Sequence, residues 1–186
     1  MEITPPVPPN IPWLDAGQPE VAPPAPPVLT PCPPGWREVT EAASGTVTCD
    51  PWPETGYEEC AAVDEAHFPG EPGCTRIGTA CSSDDDWAVD LPTDQPILYV
   101  LAGAPSGGDG TRASPFGTIA EGTDAARSGT AVAISKGTFD EVVLVGSGVT
   151  IWGACVAETI LASSAPSETS GTINARGRDG VVRNLR

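Results

Sequence analysis

Short apolar runs separated by glycine, serine and aspartate dominate the sequence after residue 96. Each run has three to five residues and is rich in valine and isoleucine, which is typical of β-strands. The runs occupy residues 97–101, 131–134, 141–145, 149–152, 158–161, 172–174 and 180–182. We therefore predict an all-β region over residues 96–186.

The spacing of these runs predicts how the strands are arranged. The Ile-Trp-Gly run at 151–153 and the Ile-Asn-Ala-Arg-Gly run at 173–177 are 22 residues apart. That spacing matches one solenoid coil of about 20–25 residues, so we interpret the region as the first coils of a parallel β-helix. A β-sandwich is the alternative, although the turns lack two-residue hairpin signals such as Asn-Gly.

A short helix is predicted to interrupt the β pattern. Thr118 and Glu121 have the spacing of a capping box, in which each side chain accepts a hydrogen bond from the backbone of the other residue. Gly129 is a suitable residue to end the helix. We therefore predict a helix over residues 119–127 that covers an apolar surface, because its own apolar positions are few.

Proline and cysteine set the organisation of the first half of the chain. Thirteen of the 22 prolines lie in the first 34 residues, which predicts an extended proline-rich linker over residues 1–31. Residues 32–95 are rich in turn-forming residues, and we predict an irregular module with short strands near 37–39 and 46–48. Its tryptophans, Trp36, Trp52 and Trp87, either form a small core or provide platforms for sugar rings.

The six cysteines indicate disulfides and an oxidising compartment. They are Cys32, Cys49, Cys60, Cys74, Cys81 and Cys155. Five lie in the middle module, so we expect Cys155 to pair with one of them and to join the module to the β region. The alternative is a zinc site formed by Cys60, His67, Cys74 and Cys81, although these ligands lack the close pairing that zinc sites normally show.

The formal net charge of −16 excludes some classes of partner. A strongly acidic chain does not suit nucleic acid, which is bound through lysine and arginine, and it does not suit an anionic membrane surface. No apolar run is long enough to span a bilayer. Because disulfides occur without a signal peptide, we expect a secretory leader, or a lipid anchor, upstream of Met1.

One acidic cluster is a candidate calcium site. Asp84, Asp85, Asp86 and Asp90 lie close together in the sequence and offer the oxygen ligands that calcium prefers. Their spacing does not match an EF-hand, and such a charge run is also typical of a solvated linker. We expect no cofactor, with calcium at these residues as the candidate exception.

Several motifs resemble those of right-handed parallel β-helix proteins of the pectate-lyase-like superfamily, in particular a group of bacterial surface proteins. The motifs are Tyr99-Val100, Gly108-Asp-Gly-Thr111, Ser114-Pro-Phe116, Thr118-Ile119, Gly137-Thr-Phe-Asp-Glu141 and Gly148-Val-Thr-Ile-Trp-Gly153. The cysteine-rich stretch before them is similar to secreted lipoproteins of myxobacteria. The resemblance implies a β-helix start over residues 96–186, capped by the predicted helix and continuing beyond Arg186.

The resemblance does not fix the activity, because this fold carries both enzymes and binding proteins. The first hypothesis is a non-enzymatic secreted or bacterial cell-surface protein for display or adhesion, which binds polysaccharide or another surface protein. The alternative is the N-terminal part of a polysaccharide lyase or hydrolase whose catalytic coils follow Arg186. A third hypothesis is a structural cap that starts a longer solenoid. We assign no catalytic residue, because the charged residues at 140–141 and 176–179 do not form a lyase pattern.

Overall fold

The computed structural model describes residues 30–164 and 171–186, so almost all of the predicted linker at 1–31 lies outside the described residues. The described part is β-rich, with twelve short strands and one helix, and the all-β prediction is confirmed. The strands are β1 (Arg37–Thr40), β2 (Val47–Asp50), β3 (Glu65–His67), β4 (Cys74–Arg76), β5 (Ile97–Val100), β6 (Ala131–Ile134), β7 (Gly137–Asp140), β8 (Val143–Val145), β9 (Thr150–Gly153), β10 (Thr159–Ala162), β11 (Ile173–Ala175) and β12 (Val181–Arg183).

All strand pairs after residue 96 are parallel. The largest sheet has four strands in the order β12-β9-β6-β5, and two further pairs join β7 to β10 and β8 to β11. Between neighbouring strands the registers align Ile97 with Ala131, Ala131 with Thr150, and Thr150 with Val181. Successive strands of the chain therefore stack on earlier ones in a repeating order.

The 151–153 run and the 173–177 run do not pair with each other, so their 22-residue spacing does not measure one coil. The first run belongs to β9, which pairs with β12, and the second begins in β11, which pairs with β8. The two runs therefore lie in different sheets. The offset between paired parallel strands is instead 19 residues for β6 and β9, 22 for β7 and β10, and 30 for β8 and β11.

The core lies between the parallel sheets and consists mainly of aliphatic side chains. Every residue of β6 is buried, as its uninterrupted apolar sequence requires. Val143 and Val145 of β8 point inward while Leu144 between them is exposed, which is the alternation expected of a strand with one buried face. The other buried members of the cluster are Val100, Ile119, Val132, Ile134, Phe139, Val149 and Ile151.

The predicted helix is present as α1 (Ile119–Ala125). Its capping box forms as expected, with the Thr118 side chain accepting from the Glu121 amide at 3.1 Å. The Glu141 carboxylate adds a second cap, because it accepts hydrogen bonds from the amides of Ile119 at 2.8 Å and Ala120 at 2.9 Å. Four amide groups at the helix start therefore have acceptors, since Gly122 donates to the Thr118 carbonyl.

Residues 32–95 contain two antiparallel strand pairs, β1 with β2 and β3 with β4. All six cysteines are joined, as Cys32–Cys49, Cys60–Cys74 and Cys81–Cys155, so the disulfide prediction is confirmed. The zinc alternative is wrong, because the Cys60, Cys74 and Cys81 sulfurs are bonded to sulfur.

The end of the cysteine-rich segment packs along the parallel strands. Cys81–Cys155 is one link between them. The buried Asn184 side chain is another, since it accepts from the Thr79 amide at 3.1 Å and donates to the Thr79 hydroxyl at 2.9 Å. The Lys136 amide donates to the Asp86 carbonyl at 2.8 Å. Residues 79–86 are thus held to the sheets by covalent, side-chain and backbone contacts.

Within residues 30–164 and 171–186, no helix is both long and apolar enough to cross a lipid bilayer.

Candidate functional site

An aromatic cluster in the cysteine-rich segment is the candidate site. Tyr57 stacks on His67 with ring centroids 5.6 Å apart and an angle of 13° between the planes. Trp52 meets both rings edge-on at 5.0 Å. Such offset and edge-to-face arrangements are favourable for aromatic pairs. The cluster therefore holds three rings in a defined geometry, and Tyr57 remains 60% exposed.

His67 is the buried member of the cluster, and both of its ring nitrogens have hydrogen-bond partners. The Glu58 amide donates to Nδ1 at 2.9 Å, so Nδ1 is the unprotonated nitrogen. Nε2 lies 3.0 Å from the Glu71 carbonyl, to which its proton is donated. The backbone thus sets the Nε2–H tautomer, and the ring supports Tyr57 and Trp52 by packing.

The disulfides and Arg37 position the cluster. His67 is paired in register with Cys74, which is bonded to Cys60. On the other side, Arg37 Nε donates to the Trp52 carbonyl at 2.8 Å. The cluster is consequently built by contacts between residues that are distant in sequence.

The residues that flank the aromatic cluster in the sequence are acidic or exposed and apolar. Phe68 is 45% exposed, and the nearby chain carries exposed carboxylates at Glu54, Glu58, Glu59 and Glu71. An accessible aromatic ring can stack on the C–H face of a sugar ring, and carboxylates can accept hydrogen bonds from its hydroxyls.

The three predicted platform tryptophans have different environments. Trp52 belongs to the aromatic cluster. Trp36 is half-buried against the Gly70 backbone. Trp87 is only 6% exposed, and its indole N–H donates to the Val100 carbonyl at 3.0 Å. The prediction of a Trp87 sugar platform is wrong, because this ring packs against the start of the parallel sheet.

The predicted calcium ligands are not gathered around a common point. Asp85 pairs with Arg112, and Asp90 accepts from the Thr79 hydroxyl at 2.7 Å. Asp84 accepts from the Ser83 hydroxyl at 2.9 Å, and Asp86 contributes its backbone carbonyl to the contact with Lys136. Calcium binding by these four residues stays a prediction without geometric support.

Within the described ranges, one close group of metal-ligating residue types is formed by Cys81, Cys155 and Glu158. Two of its three ligand atoms form the Cys81–Cys155 disulfide. Because metals bind the thiolate and not a disulfide sulfur, this group does not act as a metal site.

We expect the Asp85–Arg112 pair to make the stability of the protein depend on pH. The hydrogen bond from Arg112 lowers the pKa of Asp85 below its ordinary value of 3.8, against a smaller opposing effect of burial. Because the folded-state pKa is the lower one, the pair stabilises the protein above about pH 4 and this contribution is lost as the pH falls through the folded-state pKa. Both side chains are partly exposed, so we expect about 0.5 kcal/mol.

The measurement is the free energy of unfolding between pH 6 and pH 2 for the wild type and for Asp85→Asn. We expect the difference between the two proteins to be present at pH 6 and to vanish at pH 2. Asp124→Asn, an exposed aspartate on α1, is the control. A difference that stayed constant over the whole range would contradict the assignment.

Sequence reasoning missed Tyr57 and His67 as partners of Trp52. His67 was considered as a zinc ligand, and Tyr57 gave no signal of its own. The one sequence signal for this contact was that Tyr57 and His67 lie on either side of Cys60, in a segment where disulfides are expected to bring side chains together.

Neither protein-family models, curated proteins nor solved structures yield a match to this chain.

Proposed function

We propose that this chain is a non-enzymatic, secreted or cell-surface bacterial module that binds glycans, carried on the first coils of a right-handed parallel β-helix. The observation that carries the proposal is the exposed Tyr57 ring, which is supported by His67 and Trp52. A rigid aromatic surface of this kind suits weak, repeated binding to a polysaccharide, in which each sugar ring contributes a small stacking energy.

The order of strand pairing supports the β-helix. The series β6, β7, β8 is followed by β9, β10, β11, and each strand of the second series pairs in parallel with the corresponding strand of the first. The chain after β12 follows the same order, because Arg186 lies beside β10. The Leu161 amide of β10 donates to the Arg186 carbonyl at 2.7 Å, and the Arg186 amide donates to the Thr159 carbonyl at 3.0 Å. Right-handed winding is expected for crossover connections between parallel strands.

The three disulfides support a location outside the cytoplasm. Such bonds persist in oxidising environments and are rare where thiols are kept reduced. Small segments with little apolar core depend on them most, and residues 32–76 contain two of the three. A lipid anchor upstream of Met1 would hold the module at the cell surface.

The charged residues at 140–141 have structural roles. The Glu141 carboxylate caps α1, and Asp140 accepts from the Ser164 amide at 2.7 Å. Both groups are thus engaged in holding the chain together, which favours the binding hypothesis over a lyase centre at this position. Release of unsaturated sugars from polygalacturonate by this chain, followed by ultraviolet absorbance, would overturn the non-enzymatic proposal.

Replacing Tyr57 with alanine is expected to weaken glycan binding about tenfold, because the stacking surface is lost. The probes are neutral hexasaccharides of glucose, galactose and N-acetylglucosamine, screened on an array and titrated by calorimetry. Tyr57→Phe keeps the ring and should retain most of the affinity.

Val89→Ala provides a control at a surface side chain that is 68% exposed. Absence of binding to all three classes at about 5 mM, or equal affinity of wild type and Tyr57→Ala, would reject glycan binding at this cluster.

A further inference from the structure

His67 is the one histidine of the chain, and it is buried, with 5% of its surface exposed. It lies in β3, opposite Cys74 of β4. Histidine is the side chain whose charge ordinarily changes between about pH 5 and pH 8. A response of the side chains to mild acid is therefore assigned to a single residue.

The hydrogen bonds of the His67 ring fit its neutral form and not its protonated form. Nδ1 accepts from the Glu58 amide at 2.9 Å, which requires a free lone pair on that nitrogen. Nε2 lies 3.0 Å from the Glu71 carbonyl and carries the ring proton. In the imidazolium both nitrogens are donors, so a proton on Nδ1 would face the Glu58 N–H and leave that amide without an acceptor. Such a loss is unfavourable in a buried site.

The charges around the ring attract a proton without accommodating it. Arg37 pairs with Asp50, and Arg76 pairs with Asp64. The other charged side chains in residues 50–77 are all carboxylates, those of Glu54, Glu58, Glu59, Glu65 and Glu71. These groups favour the imidazolium, and so do the neighbouring aromatic rings. Because Nδ1 faces an amide rather than a carboxylate, the proton is stabilised only when the ring leaves its buried position.

The disulfides keep such an opening local. Cys60–Cys74 joins the chain between Tyr57 and His67 to β4, and Cys32–Cys49 joins the start of the segment to β2. These bonds remain when the ring moves, so the strands stay connected. The parallel sheets contain no histidine, and they therefore lack a group of this kind.

We propose that His67 is an acid-sensitive switch for the aromatic cluster. At neutral pH the unprotonated ring accepts from Glu58 and supports Tyr57 and Trp52. In mild acid the ring takes up a proton at Nδ1, leaves its buried position and releases the other two rings from their packing. A pH dependence of glycan binding at Tyr57 rests on the proposed function, whereas the switch itself does not.

Proton binding fixes the direction and the size of the expected effect. Imidazole in water has a pKa of about 6.5, so the opened form binds a proton in mild acid and the closed form does not. The closed cluster is thus most stable above that pH, and its stability is lost as the pH falls. The equilibrium constant for opening rises up to about tenfold for each pH unit below about 6.5, or about 20-fold from pH 7 to pH 5.

The test is hydrogen exchange of backbone amides in the full chain between pH 7.5 and pH 4.5, corrected for intrinsic exchange rates. The reporters are the amides of Glu58 and of Gly70, which donates to the Pro51 carbonyl at 2.8 Å. The control is the Ala131 amide, which donates to the Pro96 carbonyl at 2.9 Å beside the parallel sheets. We expect about 20-fold loss of protection from pH 7 to pH 5 at both reporters and none at the control.

His67→Gln is the matched variant, because glutamine keeps an N–H donor for the Glu71 carbonyl and does not titrate. Protection of Gly70 in this variant should be the same at pH 7 and pH 5. If the variant does not fold, the wild type decides the outcome through the pH at which protection begins to fall. An onset near pH 6.5 identifies the imidazole, and an onset below about pH 5 identifies carboxylates.

Four results would overturn the proposal. They are unchanged protection of Glu58 down to pH 5, an onset below about pH 5, an equal loss at Gly70 in His67→Gln, and an equal loss at Ala131, which would show unfolding of the whole chain. No glycan is present in this experiment. A failure of glycan binding therefore does not alter its result, and a failure of the switch leaves the glycan proposal standing.

Discussion

Replacing both Cys81 and Cys155 with alanine is expected to lower the free energy of unfolding by about 4 kcal/mol. The two residues are 74 positions apart in sequence, so their bond restricts a long loop of the unfolded chain. A loss of this size is a large fraction of the stability of a typical domain. The measurement is equilibrium denaturation in urea for the wild type and the double variant.

The matched comparison is the double variant of Cys60 and Cys74, whose separation is 14. Loop-closure entropy predicts a smaller loss there, of about 3 kcal/mol. We also expect different local effects, because removing Cys81–Cys155 should expose residues 79–86 to amide exchange, while removing Cys60–Cys74 should loosen the rings around His67. Equal and small losses for both variants would contradict this account.

Replacing Glu141 with alanine is expected to cost about 2 kcal/mol, because two helix amides lose a charged acceptor. Those amides belong to Ile119 and Ala120, and the Ile119 side chain is fully buried in the core. The cap therefore fixes α1 over the parallel sheets as well as starting the helix. Thermal and urea denaturation measure the loss.

Two neighbouring substitutions make the test specific. Glu141→Gln keeps one acceptor oxygen without the charge, and we expect about half the loss. Asp140→Asn alters the adjacent carboxylate, which accepts from Ser164 and not from the helix, so its effect should be smaller still. If Asp140→Asn were as destabilising as Glu141→Ala, the helix cap would not be the cause.

Local sequence signals were sufficient for much of the fold. Thr118 and Glu121 form a capping box through contacts only three residues apart, so the sequence alone specifies it. Most strands after residue 96 were also predicted within a residue or two. Strand β7 was missed, because Gly-Thr-Phe-Asp lacks a run of β-branched residues and relies on pairing with β10 for its order.

The features that the sequence did not predict depend on contacts between residues distant in sequence. The register of β9 with β12 depends on connections of unequal length, which periodicity does not reveal. The candidate site depends on His67 and Tyr57, which meet only after β3 and β4 pair and Cys60 bonds to Cys74. Asp85 was a plausible calcium ligand until its partner Arg112, 27 residues away, was known.

The disulfides also constrain how the protein matures. The six cysteines are bonded in consecutive pairs along the sequence, as Cys32–Cys49, Cys60–Cys74 and Cys81–Cys155. A chain that enters an oxidising compartment from its N-terminus exposes the partners of the first bond before those of the second, and those of the third last. If this chain is oxidised in that order, the native connectivity forms directly, and maturation then needs an oxidant but little reshuffling by an isomerase.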